Sequence, residues 1–279
     1  MARLGVITLA IGFALSASGA DAKPRTKRHK TSSVEKSSSK RKTKKKKKKK
    51  KKRDDKPSNS TVNKRIERPA DYESSPAFRY NNLSREDCEA ELVHRKVPFE
   101  PETETWLGVR APVRMTGPLH GVTFRTRLSE EQRATTKWEV ADCRLVLALD
   151  DFAQILVKHE IAEVIHYSMY RPPEKSHPLD KDGIRHSGAL ALDAGQFIGT
   201  DGSILDVDKH WNGRLGAKTC GDDAGPSPAT AEAKKLRAIL CDAVAARIFN
   251  SYLTPNYNRA HHNHFHLEVT AGWRSFLIY

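Results

Sequence analysis

The chain has 279 residues, 30% of them charged, and a formal net charge of +15. That length holds one large domain or two small ones. Only the N-terminus carries a long apolar run, which argues against a bundle of membrane-spanning helices.

Residues 1–22, MARLGVITLAIGFALSASGADA, place Arg3 before an apolar run from Leu4 to Leu15 and close on the small-residue sequence Ala20-Asp21-Ala22. This layout predicts a signal peptide cleaved after Ala22. The run is too short for the ~20 residues of a bilayer span, so the mature chain is expected in the periplasm or outside the cell, without a transmembrane helix. Residues 23–75 are expected to be a disordered tail. They include nine consecutive lysines, Lys44 to Lys52, and residues 23–68 carry 23 Lys/Arg against 4 Asp/Glu. Like charges with almost no apolar residues cannot bury enough surface to offset ordering entropy. Arg3 and Asp21 cancel, so residues 69–279 carry a net charge of −4. The protein is a mildly acidic domain with a cationic tail. Such a tail suits peptidoglycan or another anionic cell-envelope polymer, or serves as a passive spacer. Export and the lack of aromatics for base stacking argue against nucleic acid.

Residues 76–279 are expected to form the folded domain. Ser84 and Asp87 resemble a capping box opening a helix from Arg85 to about Arg95. The Pro-rich stretch from Val97 to Met115 suggests one or two short strands. Residues 141–158 carry Leu145, Leu149, Phe152, Ile155 and Leu156 at helical spacing, and residues 163–170 read as a buried strand ended by Arg171-Pro172-Pro173. SGALALDAGQFI, TDGS and ILDV read as a hairpin about Asp201-Gly202. A polar, glycine-rich loop covers 209–228, a second helix 229–250, and a final strand 264–269. This order predicts one compact α+β domain, with a small, mostly antiparallel sheet flanked by helices. The four cysteines, Cys88, Cys143, Cys220 and Cys241, suit an oxidising compartment. They allow three pairings, and sequence proximity favours Cys88–Cys143 with Cys220–Cys241.

Four of the twelve histidines, His261, His262, His264 and His266, crowd into NRAHHNHFHLEV. In a strand, His264 and His266 share a face while Phe265 and Leu267 take the other. Upstream, RHSGALALD supplies His186 and Asp193. Imidazole nitrogens and a carboxylate oxygen are zinc donors, and a catalytic zinc keeps one position for water, whose pKa it lowers toward ~7. His186, Asp193 and one histidine of the H-x-H would make such a site. The remaining histidine is then placed to carry protons.

HSGALALD together with HHNHFHLEV resembles the bacterial extensin-like C-terminal domain family. That family is similar to the zinc peptidases that include D-alanyl-D-alanine carboxypeptidases, murein endopeptidases and the hedgehog fold. WLGVRAPV, DCRLVLAL, HYSMYR and AGQFIGTDGSILDV extend the resemblance over about 84–270. It implies His186, Asp193 and His266 as zinc ligands, His264 as the proton carrier, Arg171 facing the site, and His261 behind the ligands. It implies a zinc metallopeptidase cutting peptidoglycan stem peptides or cross-links. A non-catalytic envelope-binding protein with a structural or vestigial zinc site is the alternative. For Arg171 the plainer expectation is a pair with Glu174, and His262 and His177 are expected in water. His159, His166 and His210 read as structural. The chain departs from the S-x-H-x-x-G-x-A-x-D pattern at Ile184, and its glycine comes at Gly188 where the pattern's glycine falls on Ala189. Family cysteines at the positions of Leu107 and Tyr170 are absent.

Overall fold

The computed structural model describes residues 66–279, so the expected signal peptide and lysine run lie outside the described residues. The description starts inside the segment expected to be tail. Ile66–Glu67 forms β1, and buried Tyr72 donates its hydroxyl to the Trp273 carbonyl. A two-residue strand and one tyrosine among prolines and charges leave no periodicity to detect.

Two short helices follow, α1 (Pro76–Asn81) and α2 (Arg85–His94). Each is capped by a serine hydroxyl that accepts a backbone N–H: Ser75 from Phe78 and Ser84 from Asp87. Then come β2 (Phe99–Pro101), β3 (Pro112–Met115), β4 (Thr123–Arg125), α3 (Glu130–Thr135) and β5 (Ala141–Asp142). Next, α4 (Cys143–Lys158), β6 (Ile161–His166), β7 (Ala191–Gly199) and β8 (Ile204–Asp206) build the centre, and α5 (Val207–His210) and α6 (Ala231–Ala245) precede β9 (Ser251–Leu253), β10 (Phe265–Glu268) and β11 (Phe276–Ile278).

The main sheet runs β1-β11-β9-β10-β7-β6-β4, with β8 also on β7. Its pairings are antiparallel except β11 on β9 and β4 on β6. A second antiparallel sheet, β2-β3-β5, was not expected. The α+β class and the mostly antiparallel sheet agree with the sequence. The strand predicted over 264–269 is present as β10 but is not the last, because β11 follows it. β11 has three residues and a non-local parallel partner, so nothing local marks it.

Helix α4 starts at Cys143, two residues after the expected Ala141, because Asp142 caps it and accepts from the Arg144 N–H. Its apolar face (Leu145, Leu149, Phe152, Leu156) is fully buried in the main core. Asp142 also holds the buried Arg144 guanidinium through Nε (2.7 Å) and Nη2 (2.9 Å), and takes the Ala111 N–H at 3.2 Å. The second helix is shorter than expected, ending at Ala245, and Arg247 takes a left-handed turn (φ 53°). Both favoured disulfides are formed. Loop-closure entropy assigns them about 4 and about 3 kcal/mol respectively.

The strand expected over 163–170 stops at His166, where a register shift breaks the β6·β7 ladder. The chain then wraps Asp193. The Tyr167 N–H donates to the Asp193 carbonyl (2.9 Å), and the Asp193 N–H donates to Ser168 (3.3 Å). Such a bulge re-aims side chains at the rim of a sheet.

Candidate metal centre

Strand register builds this site. Asp193 on β7 and His266 on β10 are directly opposed across antiparallel strands, so their side chains leave the sheet on one face. His186 arrives from a single 3-10 turn, Arg185–Gly188, just before β7. That turn is pressed against backbone. A Cβ on Gly183 would lie 2.3 Å from the Ser187 carbonyl oxygen, and one on Gly188 would lie 2.3 Å from that of Gly183. Only glycine permits this approach. Ala189 has φ 53°, so the backbone keeps a left-handed turn where the resembled pattern has glycine, at a cost of about 1–2 kcal/mol for alanine.

His186 Nε2 lies 3.0 Å from Asp193 Oδ1 and 3.2 Å from His266 Nδ1, and His266 Nδ1 lies 3.0 Å from the same oxygen. All three residues are buried. The other ring nitrogens decide the tautomers. His186 Nδ1 faces the Met169 carbonyl at 3.0 Å; a carbonyl only accepts, so Nδ1 donates and Nε2 keeps its lone pair. His266 Nε2 faces Glu268 Oε2 at 3.2 Å, which leaves the lone pair on Nδ1. Two imidazole lone pairs and a carboxylate oxygen thus converge, an arrangement that calls for a cation between them. Tetrahedral donors about 2.0–2.2 Å from a metal stand about 3.3–3.6 Å apart, slightly wider than the 3.0–3.2 Å spacings here. The donor set fits a divalent transition metal.

The electrostatics point the same way. Burial would raise the Asp193 carboxyl, but the His186, His264 and His266 imidazoles gathered against it hold it well below the ordinary carboxylate range. Burial lowers the His186 imidazole. Burial would lower His266 too, yet Asp193 and Glu268 together hold it above its usual value. The convergence point attracts positive charge.

The other expected site residues gather around it. His264 Nε2 is 3.3 Å from Asp193 Oδ1, while its Nδ1 donates to the Asn263 side-chain oxygen at 2.9 Å. The His261 ring stands 5.1 Å from His264 and 5.7 Å from His266, centroid to centroid. Its Nδ1 is tied to Asn258 Oδ1 at 2.8 Å. Burial, then the neighbouring His266 and His264, bring its pKa down to about 3, which keeps it neutral at physiological pH. Arg171 Nη2 bonds Asp193 Oδ2 at 2.8 Å, not Glu174, with its side chain still 53% exposed. The two Asp193 oxygens therefore divide their work: one faces the imidazoles, the other holds the guanidinium.

A family model for the extensin-like protein C-terminus matches residues 86–276. The chain belongs to this family. The match runs from α2 into β11 and covers every residue of the extensin-like centre described above. No curated protein and no solved structure matches the chain.

The other histidines singled out in the sequence add no donor to the three at the centre. His262 is exposed opposite Asp208, His177 bonds the Lys181 carbonyl, and His159 pairs with Asp242 at the surface. His210 Nδ1 accepts the Asp206 N–H, and His166 is buried beside Glu139. Sequence reasoning missed Glu268, although the strand alternation that aligned His264 and His266 continues to it. Buried Glu268 also accepts from Thr270 Oγ1 and pairs with Arg185. A carboxylate that fixes a ligand's tautomer typically governs affinity. Glu268→Gln keeps the shape and removes the charge, and if the centre takes Zn²⁺ it should weaken that binding by about 10- to 100-fold in chelator competition. Unchanged affinity would reduce Glu268 to a packing residue.

Proposed function

We propose that this extensin-like domain is an exported zinc metallopeptidase acting on peptidoglycan stem peptides or cross-links. The convergence of His186 Nε2, Asp193 Oδ1 and His266 Nδ1 within 3.0–3.2 Å carries the reading. Zinc held there would polarise a scissile carbonyl and acidify a water.

The chain's own groups then have distinct tasks. His264, with Nδ1–H held by Asn263, offers the Nε2 lone pair to take a proton from the attacking water and return it to the leaving amine. Arg171 holds Asp193 through Nη2, and its half-exposed guanidinium offers charge to the developing oxyanion. A cleft of about 680 Å³ beside His186, lined by Arg171, Pro172, His177 and Arg185, gives room for a peptide. The lysine-rich tail would hold the enzyme near anionic envelope polymer.

The purified protein should carry about one equivalent of zinc, and His186→Ala should lose it. Digestion of purified peptidoglycan, followed by mass spectrometry of the fragments, tests the activity. New fragments support the peptidase. Zinc without new fragments across several wall chemistries leaves a non-catalytic envelope-binding protein. Metal content unchanged in His186→Ala removes the site assignment. Wall binding measured across salt, with and without residues 23–65, tests the tether, and equal binding by both forms would refute it.

A further inference from the structure

The glycine-rich loop of residues 209–228 is used by nothing described so far. It lies over one face of α6 and encloses Arg237. This side chain is 8% exposed, with its guanidinium 4.0 Å above the Trp211 ring. Among the described residues its one hydrogen bond runs from Nη2 to the Trp211 carbonyl at 3.4 Å. Nε and Nη1 are shielded from solvent and meet no acceptor, and no carboxylate among the described residues pairs with Arg237. Burial pushes its pKa down with no opposing partner. An unpaired buried cation with two idle N–H groups is costly, and a buried guanidinium normally faces a carboxylate or phosphate.

The surroundings supply room and further donors. Arg237 lines a cavity of about 630 Å³ together with Asn212, Arg214, Lys218 and Ser227. Lys218 is paired with Asp223 at 3.1 Å, so Arg214 adds the further positive charge. On its other side Arg237 lines a second cavity, of about 320 Å³, with Thr219, whose buried hydroxyl also has no partner. The enclosure is braced. Cys220 is bonded to Cys241, one helical turn beyond Arg237, and Asn256 takes the Gly216 N–H and donates to the Ala217 and Lys218 carbonyls. Asn212 and Arg214 also line a third cavity that reaches Asn258, the residue holding His261.

We infer that the Arg237 cavity is an anion-binding site, separate from the metal centre, that takes a carboxylate or phosphate group. The Arg237 guanidinium in its wall and the Arg214 guanidinium beside it supply the positive charge that holds the anion. The cavity joined to it through Asn212 and Arg214 lets the anion belong to a ligand that extends toward the histidine cluster.

Thermal unfolding and calorimetry of the full chain test this, titrating inorganic phosphate in one arm and citrate in another at an ionic strength held constant with chloride. A saturable rise in Tm with either anion is expected, and the arm that responds names the class. Arg237→Gln should abolish the response. Arg214→Gln, an exposed change that leaves the stacked Arg237 in place, should weaken it by about tenfold. No saturable response in either arm overturns the inference. So does a response that persists in both variants, which would locate the anion on the lysine tail. If Arg237→Gln does not fold, Arg214→Gln decides alone. None of these readouts needs bound metal or peptidase activity, so this inference and the proposed function fail independently.

Discussion

On the proposed peptidase reading, alanine in place of His264 is expected to slow release of peptidoglycan fragments by ~10²–10⁴-fold, the usual contribution of a positioned acid–base group. Zinc content should stay near one equivalent. Both halves of this result follow from the geometry. His264 Nε2 reaches Asp193 Oδ1 at 3.3 Å, but the three converging donors come from His186, Asp193 and His266. Without His264, Asp193 still has Arg171 on Oδ2 and two imidazoles at Oδ1, so the donor set keeps its shape. Loss of zinc in this variant would make His264 a ligand. An unchanged rate with retained zinc would end its assignment as proton carrier.

Asp142→Ala should destabilise the domain by about 3–5 kcal/mol in chemical denaturation, the usual result of stranding a buried charge. Arg144 is buried and held at both Nε and Nη2 by this one carboxylate, which also caps α4. Loss of the cap contributes about 1 kcal/mol of the effect. Replacing both residues with apolar side chains, Asp142→Leu with Arg144→Met, should recover much of the loss, because no uncompensated charge then remains. A single substitution costing under about 1 kcal/mol would refute the ion-pair account. The Asp142 N–H donates to the Ala189 carbonyl at 2.9 Å. The α4 start is thus tied to the turn that presents His186.

Local pattern reached a good part of this protein. Apolar spacing predicted α4 within two residues, and a Ser-x-x-Asp signature placed the start of α2. Period-two alternation put His264 and His266 together, and proximity alone paired the cysteines. The charge division between lysine tail and mildly acidic remainder needed only counting. These features depend on residues close together in the chain, where helical and strand periods fix which side chains share a face.

The tertiary structure alone decided what those side chains do. Asp193 and His266 are 73 residues apart, and their opposition depends on strand register, which alternation narrows to a face but not to a partner. Register in turn brings the Met169 carbonyl to His186, Glu268 to His266, and Arg171 to the free oxygen of Asp193. Sequence therefore determined which residues could donate to a metal and that they belong to one α+β domain. The direction of each lone pair depends on the atom facing the opposite ring nitrogen, and non-local packing supplies that atom. Arg237 shows the same limit: in the sequence it is one polar residue of an amphipathic helix, and only the enclosing loop leaves it charged, buried and without an acceptor.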